Sequence, residues 1–322
     1  MRERLQEVGH GREGDTAGPA LTLARAQSAA TRDPLQRDLA RRVGYNGAVT
    51  LQILLTNDDG IHAPGLAVLR AAVDGLGEVA TIAPDQNASA VARGITIDRP
   101  LHLEPATFGE GWPGLACDGT PSDCVRIGLL GVRGPAPDLV VSGVNCGANM
   151  GADVTYSGTV GAALEAALRG RPALAFSVES RAPGWLAEMA PVLRAMVEQV
   201  IARGLPRHSI LNVNFPDRPL VEFAGIHPAR LGGASCWDRV FLSGDGAGPT
   251  SPAGAPGADP LAGASEYFVP CDHPTAGEWA DTDFDVVGRG CVAVTPLRYD
   301  LLDPELLAEL ATWELDLERL RV

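Results

Sequence analysis

An apolar run from Leu51 to Thr56 stops abruptly at Asn57-Asp58-Asp59-Gly60, and Pro64 then stands where it can open a helix. From this point the pattern alternates β and α. Strand 51–56 leads to helix 64–75 and strand 79–84; a loop and extended stretch then run to Cys117. Helix 121–131, strand 138–144, helix 159–169, strand 172–178 and helix 184–203 follow. Thr120 reads as an N-cap, with Pro121 at the first helical position and Asp123 in the first turn. Such alternation predicts an α/β fold, a Rossmann-like, mostly parallel sheet with helices on both faces.

In an open parallel sheet, ligands bind outside the carboxyl ends of the strands, where Asp58 and Asp59 fall. Adjacent carboxylates raise each other's pKa unless something positive lies between them. A hard divalent cation, Mg²⁺ or Mn²⁺, answers that need. The plainer alternative is that one aspartate caps the helix and the other is solvated. Taken alone, the pair leaves both readings open.

A second apolar run, Asp138 to Asn145, ends in Cys146-Gly147-Ala148-Asn149-Met150-Gly151, and Asp153-Val154-Thr155-Tyr156-Ser157-Gly158-Thr159-Val160 follows. Between the two runs lies Ile82-Ala83-Pro84-Asp85-Gln86-Asn87-Ala88-Ser89-Ala90. Gly119-Thr120-Pro121-Ser122-Asp123-Cys124 also lies between the two runs, and Leu211–Pro216, Thr282-Asp283-Phe284-Asp285 and Cys291–Leu297 come later. Together, in this order, these motifs resemble the SurE family (survival protein E), metal-dependent phosphatases of nucleoside monophosphates. The resemblance covers residues 51 to 302. It implies Asp58, Asp59, Ser89 and Asn145 as metal ligands, all oxygen donors following predicted strands. It implies hydrolysis of a nucleoside 5′- or 3′-monophosphate, with Asp58 or Asp59 orienting a water or, alternatively, attacking directly. Asn57 and Asn149 are candidate donors to phosphate, as are Ser157-Gly158-Thr159 at a helix start, where free N–H groups favour an anion. The plain alternative there is an ordinary cap. No His/Cys cluster has zinc spacing, and His62 reads as a packing residue or a support behind the ligands, not as a ligand.

One departure stands out. The family commonly has Arg-Asn-Arg-Ser-Gly where this chain has Gln86-Asn87-Ala88-Ser89-Ala90. The serine is retained; two arginines and a glycine are gone. If position 90 needs a left-handed backbone, alanine there costs about 1 kcal/mol. The altered loop leaves room for another small phosphate ester as substrate, or for a nucleotide-binding regulator without turnover.

The net charge of −14 argues against a duplex nucleic-acid binder, which needs a basic face. No run is long and apolar enough to span a membrane, no signal-peptide core is visible, and the six cysteines form no CxxC pair. A reducing cytoplasm is the expected compartment. Residues 1–48, with a short helix predicted from Leu21 to Arg42, lie outside the resemblance and read as a poorly ordered extension of a phosphatase domain over 49–322. Within that domain a core spans 51–232, a Gly/Pro/Ser-rich insertion 243–264 reads as flexible, and 265–322 reads as an oligomerisation region. Its late strand, with Val292, Val294 and Leu297, and an amphipathic helix Pro304–Leu320, with Leu306, Leu307, Leu310, Trp313 and Leu317 on one stripe, are expected to bury across a homodimer or homotetramer boundary.

Overall fold

A computed structural model describes residues 50–132, 134–233, 280–310 and 312–313, together with five short strands between 237 and 272. The strands in chain order are β1 Gln52–Thr56, β2 Glu78–Pro84, β3 Leu103–Phe108, β4 Trp112–Cys117, β5 Leu139–Cys146, β6 Ala173–Val178, β7 Ser209–Phe215 and β8 Gly225–Pro228. Then come β9 Trp237–Asp238, β10 Phe241–Ser243, β11 Pro249–Pro252, β12 Tyr267–Phe268, β13 Cys271–Asp272 and β14 Cys291–Arg298. The helices are α1 Pro64–Ala72, α2 Pro121–Leu129, α3 Gly158–Leu168, α4 Ala190–Arg203, α5 Asp283–Gly288 and α6 Pro304–Leu310.

Nine strands form one sheet in the order β3-β4-β2-β1-β5-β6-β7-β14-β8. Its centre, β4 through β7, is parallel. Ile53 and Leu55 point into one core layer with α1 and α4; Leu54 points into the other with α2 and α3. Covering both faces explains why the middle of β1, Ile53-Leu54-Leu55, is apolar without alternating. The chain leaves β1 toward β2 on one side and reaches β5 on the other, so the strand order reverses between β1 and β5. That reversal is where an open α/β sheet forms its crevice.

Several boundaries differ from expectation. α1 ends at Ala72, and the segment predicted as helix 184–203 becomes a 3-10 turn, Leu186–Met189, followed by α4. The stretch before Cys117 contains an antiparallel hairpin, β3–β4. The late strand does not wait for a partner subunit. β14 returns antiparallel beside β7 and parallel to β8, with Val292 and Leu297 buried inside the same chain. The final helix is described only as α6, with Leu301, Leu302, Leu306, Leu307 and Trp313 exposed; Leu317 lies outside the described residues. So do residues 1–49 and most of the predicted insertion 243–264, of which Ser243 in β10 and the strand β11 are described, the two strands paired antiparallel.

Candidate active site

The turn after β1 closes on itself. The Asn57 amide donates to the Gly60 carbonyl (2.8 Å), while its Oδ1 accepts the Gly60 N–H (3.2 Å). This Asx-type closure aims Asp58 and Asp59 along the crevice. Asp58 is 3 % exposed, and its Oδ1 accepts the hydroxyl of Thr159 in the first turn of α3. A Cβ built on Gly158 would stand 2.8 Å from Asp58 Cβ, so glycine is what lets the helix start come this close. Ser157 caps the helix by accepting the Val160 N–H (3.1 Å). The anion that the structure places at this helix N-terminus is therefore Asp58 itself, favoured there by the helix dipole. Of the two readings of Ser157-Gly158-Thr159, the structure shows the cap at Ser157, and Thr159 directs its hydroxyl to Asp58.

Asp59 reaches across the crevice from β1 to β5. Its Oδ2 accepts the Cys146 N–H (3.2 Å), and Asn87 Nδ2 lies 3.4 Å from its Oδ1. A β-bulge aims this end of β5: Gly143 and Val144 together oppose one residue of β6, so that Asn145 comes to pair with Ser177. Gly143 has φ +127, and a Cβ there would stand 2.4 Å from the Phe176 carbonyl oxygen. Beyond the bulge, Asn145 Nδ2 donates to the Gly147 carbonyl (2.7 Å), which leaves Oδ1 without a hydrogen bond among the described residues.

Ser89 belongs to a loop folded over the carboxylates. The Ala88 N–H donates to the Asp58 carbonyl (2.7 Å) and the Ser89 N–H to Asn87 Oδ1 (3.0 Å). The Ser89 side chain is exposed. Asn149 has one amide hydrogen engaged by Ser177 Oγ (2.7 Å), and its carbonyl accepts from Asn212 (2.8 Å) and Asn214 (2.9 Å). Asn57 and Asn149 thus shape the loops that carry the site.

Burial pushes the Asp58 carboxyl up from 3.8 to about 6, with the Asp59 charge adding to the rise and the Thr159 hydroxyl opposing it. Burial raises Asp59 as well. Neither makes an ion pair among the described residues. Two partly desolvated carboxylates without a cationic side chain, beside an amide oxygen with no donor, fit a hard divalent ion. Among the described residues no group of three or more His, Cys, Asp or Glu forms a metal cluster. Cys146, beside Asn145, is pushed up to about 11 by burial and by Asp59, which keeps it a neutral thiol.

Three contributors escaped sequence reasoning. Thr159 as the Asp58 partner and the Cys146 N–H as the Asp59 donor are contacts between distant segments. Asp283, buried, accepts from Gly151 N–H (2.8 Å) and Gly232 N–H (2.9 Å), tying the glycine-rich loop to the second half of the chain. The capping pattern Thr282-Asp283-Phe284-Asp285 was its only local signal.

Residues 53–238 match the family model described as Survival protein SurE. The chain is 40% identical over 269 residues to the 5′-nucleotidase SurE of Desulfatibacillum aliphaticivorans, covering 83% of this chain and 99% of that protein. It is 41% identical to the corresponding protein of Pseudomonas savastanoi pv. phaseolicola, covering 82% and 98%. The crystal structure of the SurE protein from Aquifex aeolicus superposes with a TM-score of 0.66 at 35% identity, covering 80% of this chain and 98% of that one.

Proposed function

The chain belongs to the SurE family, and from that premise we propose that it is a phosphoric monoester hydrolase cleaving nucleoside 5′- or 3′-monophosphates to nucleoside and phosphate. The observation that carries the proposal is the Asp58–Asp59 pair at the strand-order reversal, desolvated and without a cationic partner among the described residues. Asp58, Asp59, Ser89 and Asn145 would hold Mg²⁺ or Mn²⁺. Such an ion neutralises phosphoryl charge and lowers the pKa of water. Thr159 holds Asp58 in one orientation and occupies one of its oxygens, which favours Asp58 as a ligand over a nucleophile. The less buried Asp59 is the group that orients the attacking water and takes its proton.

The same proposal includes a homodimer or homotetramer, supported by the exposed Leu301, Leu302, Leu306 and Leu307. It also includes the cytoplasm, supported by the free thiols of Cys117, Cys124, Cys146 and Cys291. No helix of the described residues is long and apolar enough to cross a membrane.

Phosphate release from nucleoside 5′- and 3′-monophosphates, sugar phosphates and polyphosphate, with and without Mg²⁺ or Mn²⁺, tests the function. Metal-dependent turnover of a nucleotide is expected, and Asp59→Asn should lower kcat/KM at least ~100-fold. Preference for sugar phosphates over every nucleotide would assign a different ester. Wild-type rates in Asp59→Asn would remove Asp59 from the site.

A further inference from the structure

The loop that carries Ser89 is strained just beyond it. Ala90 (φ +59) and Ala92 (φ +54) both adopt left-handed backbone without being glycine, at a cost of about 1 kcal/mol or more each. Contacts on both sides hold them there. The Ala88 N–H is bound to the Asp58 carbonyl and the Ala92 N–H to the Tyr156 carbonyl (2.9 Å). A Cβ built on Gly161 of α3 would stand 2.4 Å from the Ala92 carbonyl oxygen and 3.2 Å from Arg93 Cα, so the backbone of these two residues lies directly on the helix. Gly161 is one turn from Gly158, against which Asp58 packs. The Arg93 main chain and the Asp58 side chain therefore press on one stripe of α3, about 5 Å apart along its axis.

Arg93 is exposed, and among the described residues no acceptor engages its guanidinium. Arg70, Arg99, Arg126, Arg194 and Arg289 are instead paired with Asp74, Asp118, Asp123, Glu198 and Asp285. The loop from Gln86 to Ala90 supplies no positive charge, and its Asn87 amide lies 3.4 Å from Asp59 Oδ1. A dianionic phosphate monoester entering here would leave phosphate oxygens on the loop side beyond the ion, where a cationic side chain can bind them. We propose that Arg93 is a substrate-binding residue that grips the phosphate from the loop side, its forked N–H groups matching two phosphate oxygens. This rests on the phosphomonoesterase reading above.

The test compares Arg93→Ala and Arg93→Lys with Arg203→Ala, an exposed control on α4, in the full-length protein. Calorimetry of inorganic phosphate binding with Mg²⁺ present is measured beside KM for a nucleoside monophosphate. Arg93→Ala should weaken phosphate binding and raise KM by ~10–100-fold, the scale of a charge-assisted contact, with the melting temperature unchanged. Arg93→Lys should recover part of the loss, and Arg203→Ala should match wild type. Equal phosphate affinity in wild type and Arg93→Ala, no phosphate binding by wild type, or an equal loss in Arg203→Ala overturns the proposal. If wild type binds phosphate through Arg93 yet hydrolyses no monophosphate ester, the proposed function fails and the Arg93 assignment stands.

Discussion

Asp58→Asn in protein stripped of divalent ions should be more stable than wild type at pH 8. Burial lifts the Asp58 carboxyl from 3.8 to about 6 in the folded state, against about 3.9 in an unfolded chain. Between those values the native protein keeps a proton that the unfolded chain has released. Stability therefore falls as pH rises through that window, and the full cost is present above pH 6. Two pKa units correspond to about 3 kcal/mol. Asparagine removes the charge but offers Thr159 a weaker acceptor, which offsets about 1 kcal/mol. A net gain near 2 kcal/mol should raise Tm by about 4–8 °C in a domain of this size. Scanning calorimetry in chelator at pH 4.5 and pH 8 reads the difference between variant and wild type, which separates Asp58, with its repulsion from Asp59, from the raised carboxyl of Asp283. The gap should open toward pH 8. Added Mg²⁺ or Mn²⁺ should raise the Tm of wild type and leave the variant where it was. A variant that melts below wild type at pH 8 without metal would refute the desolvation reasoning.

Ala90→Gly should stabilise the protein by about 1 kcal/mol because φ is +59 there; an unchanged or lower Tm would show that the loop relaxes around alanine. Deleting residues 1–48 should leave activity and Tm nearly unchanged, and a large loss of either would mean that the segment docks on the enzyme. Removing 301–322 spares β14 and should yield a folded but smaller assembly by light scattering. An unchanged mass would move the subunit boundary elsewhere, whereas removing 286–322 takes β14 out of the sheet and should give aggregate.

The elements that were legible in the sequence are those whose signals are local. β1, β2, β5 and β6 are apolar runs with punctuated ends, and α2 announces itself through Thr120, Pro121 and Asp123, which form a capping box in the structure. The hairpin β3–β4 was hidden because Pro105, Pro113 and Gly114 weaken a strand signal; β3 tolerates its proline as an edge strand. β14 was recognised as a strand but misplaced, since nothing in Cys291–Arg298 says that it returns beside β7. Within the candidate site, the oxygen donors at 58, 59, 89 and 145 are visible as residue types, and the left-handed backbone on which the cost at Ala90 was conditioned is present, with φ +59. The Thr159–Asp58 contact and the bulge at Gly143 arise only when segments distant in the chain pack together.

The position of β14 also constrains how the protein is made. Until Cys291–Arg298 has been synthesised, β7 ends the parallel sheet with an unpaired edge of N–H and C=O groups and apolar side chains such as Ile210 and Val213. About 75 residues separate the two strands, which at ribosomal rates of roughly 5–20 residues per second leaves that edge open for on the order of 4–15 s. A nascent chain in this interval already has β1 and β5, and with them the crevice, but not the strand that seals the sheet. Such an intermediate is a template for pairing with a neighbouring nascent chain. Synonymous codons or pauses between Pro216 and Gly290 should therefore change the yield of soluble protein without changing its sequence, and a chaperone that holds the β7 edge should act before termination.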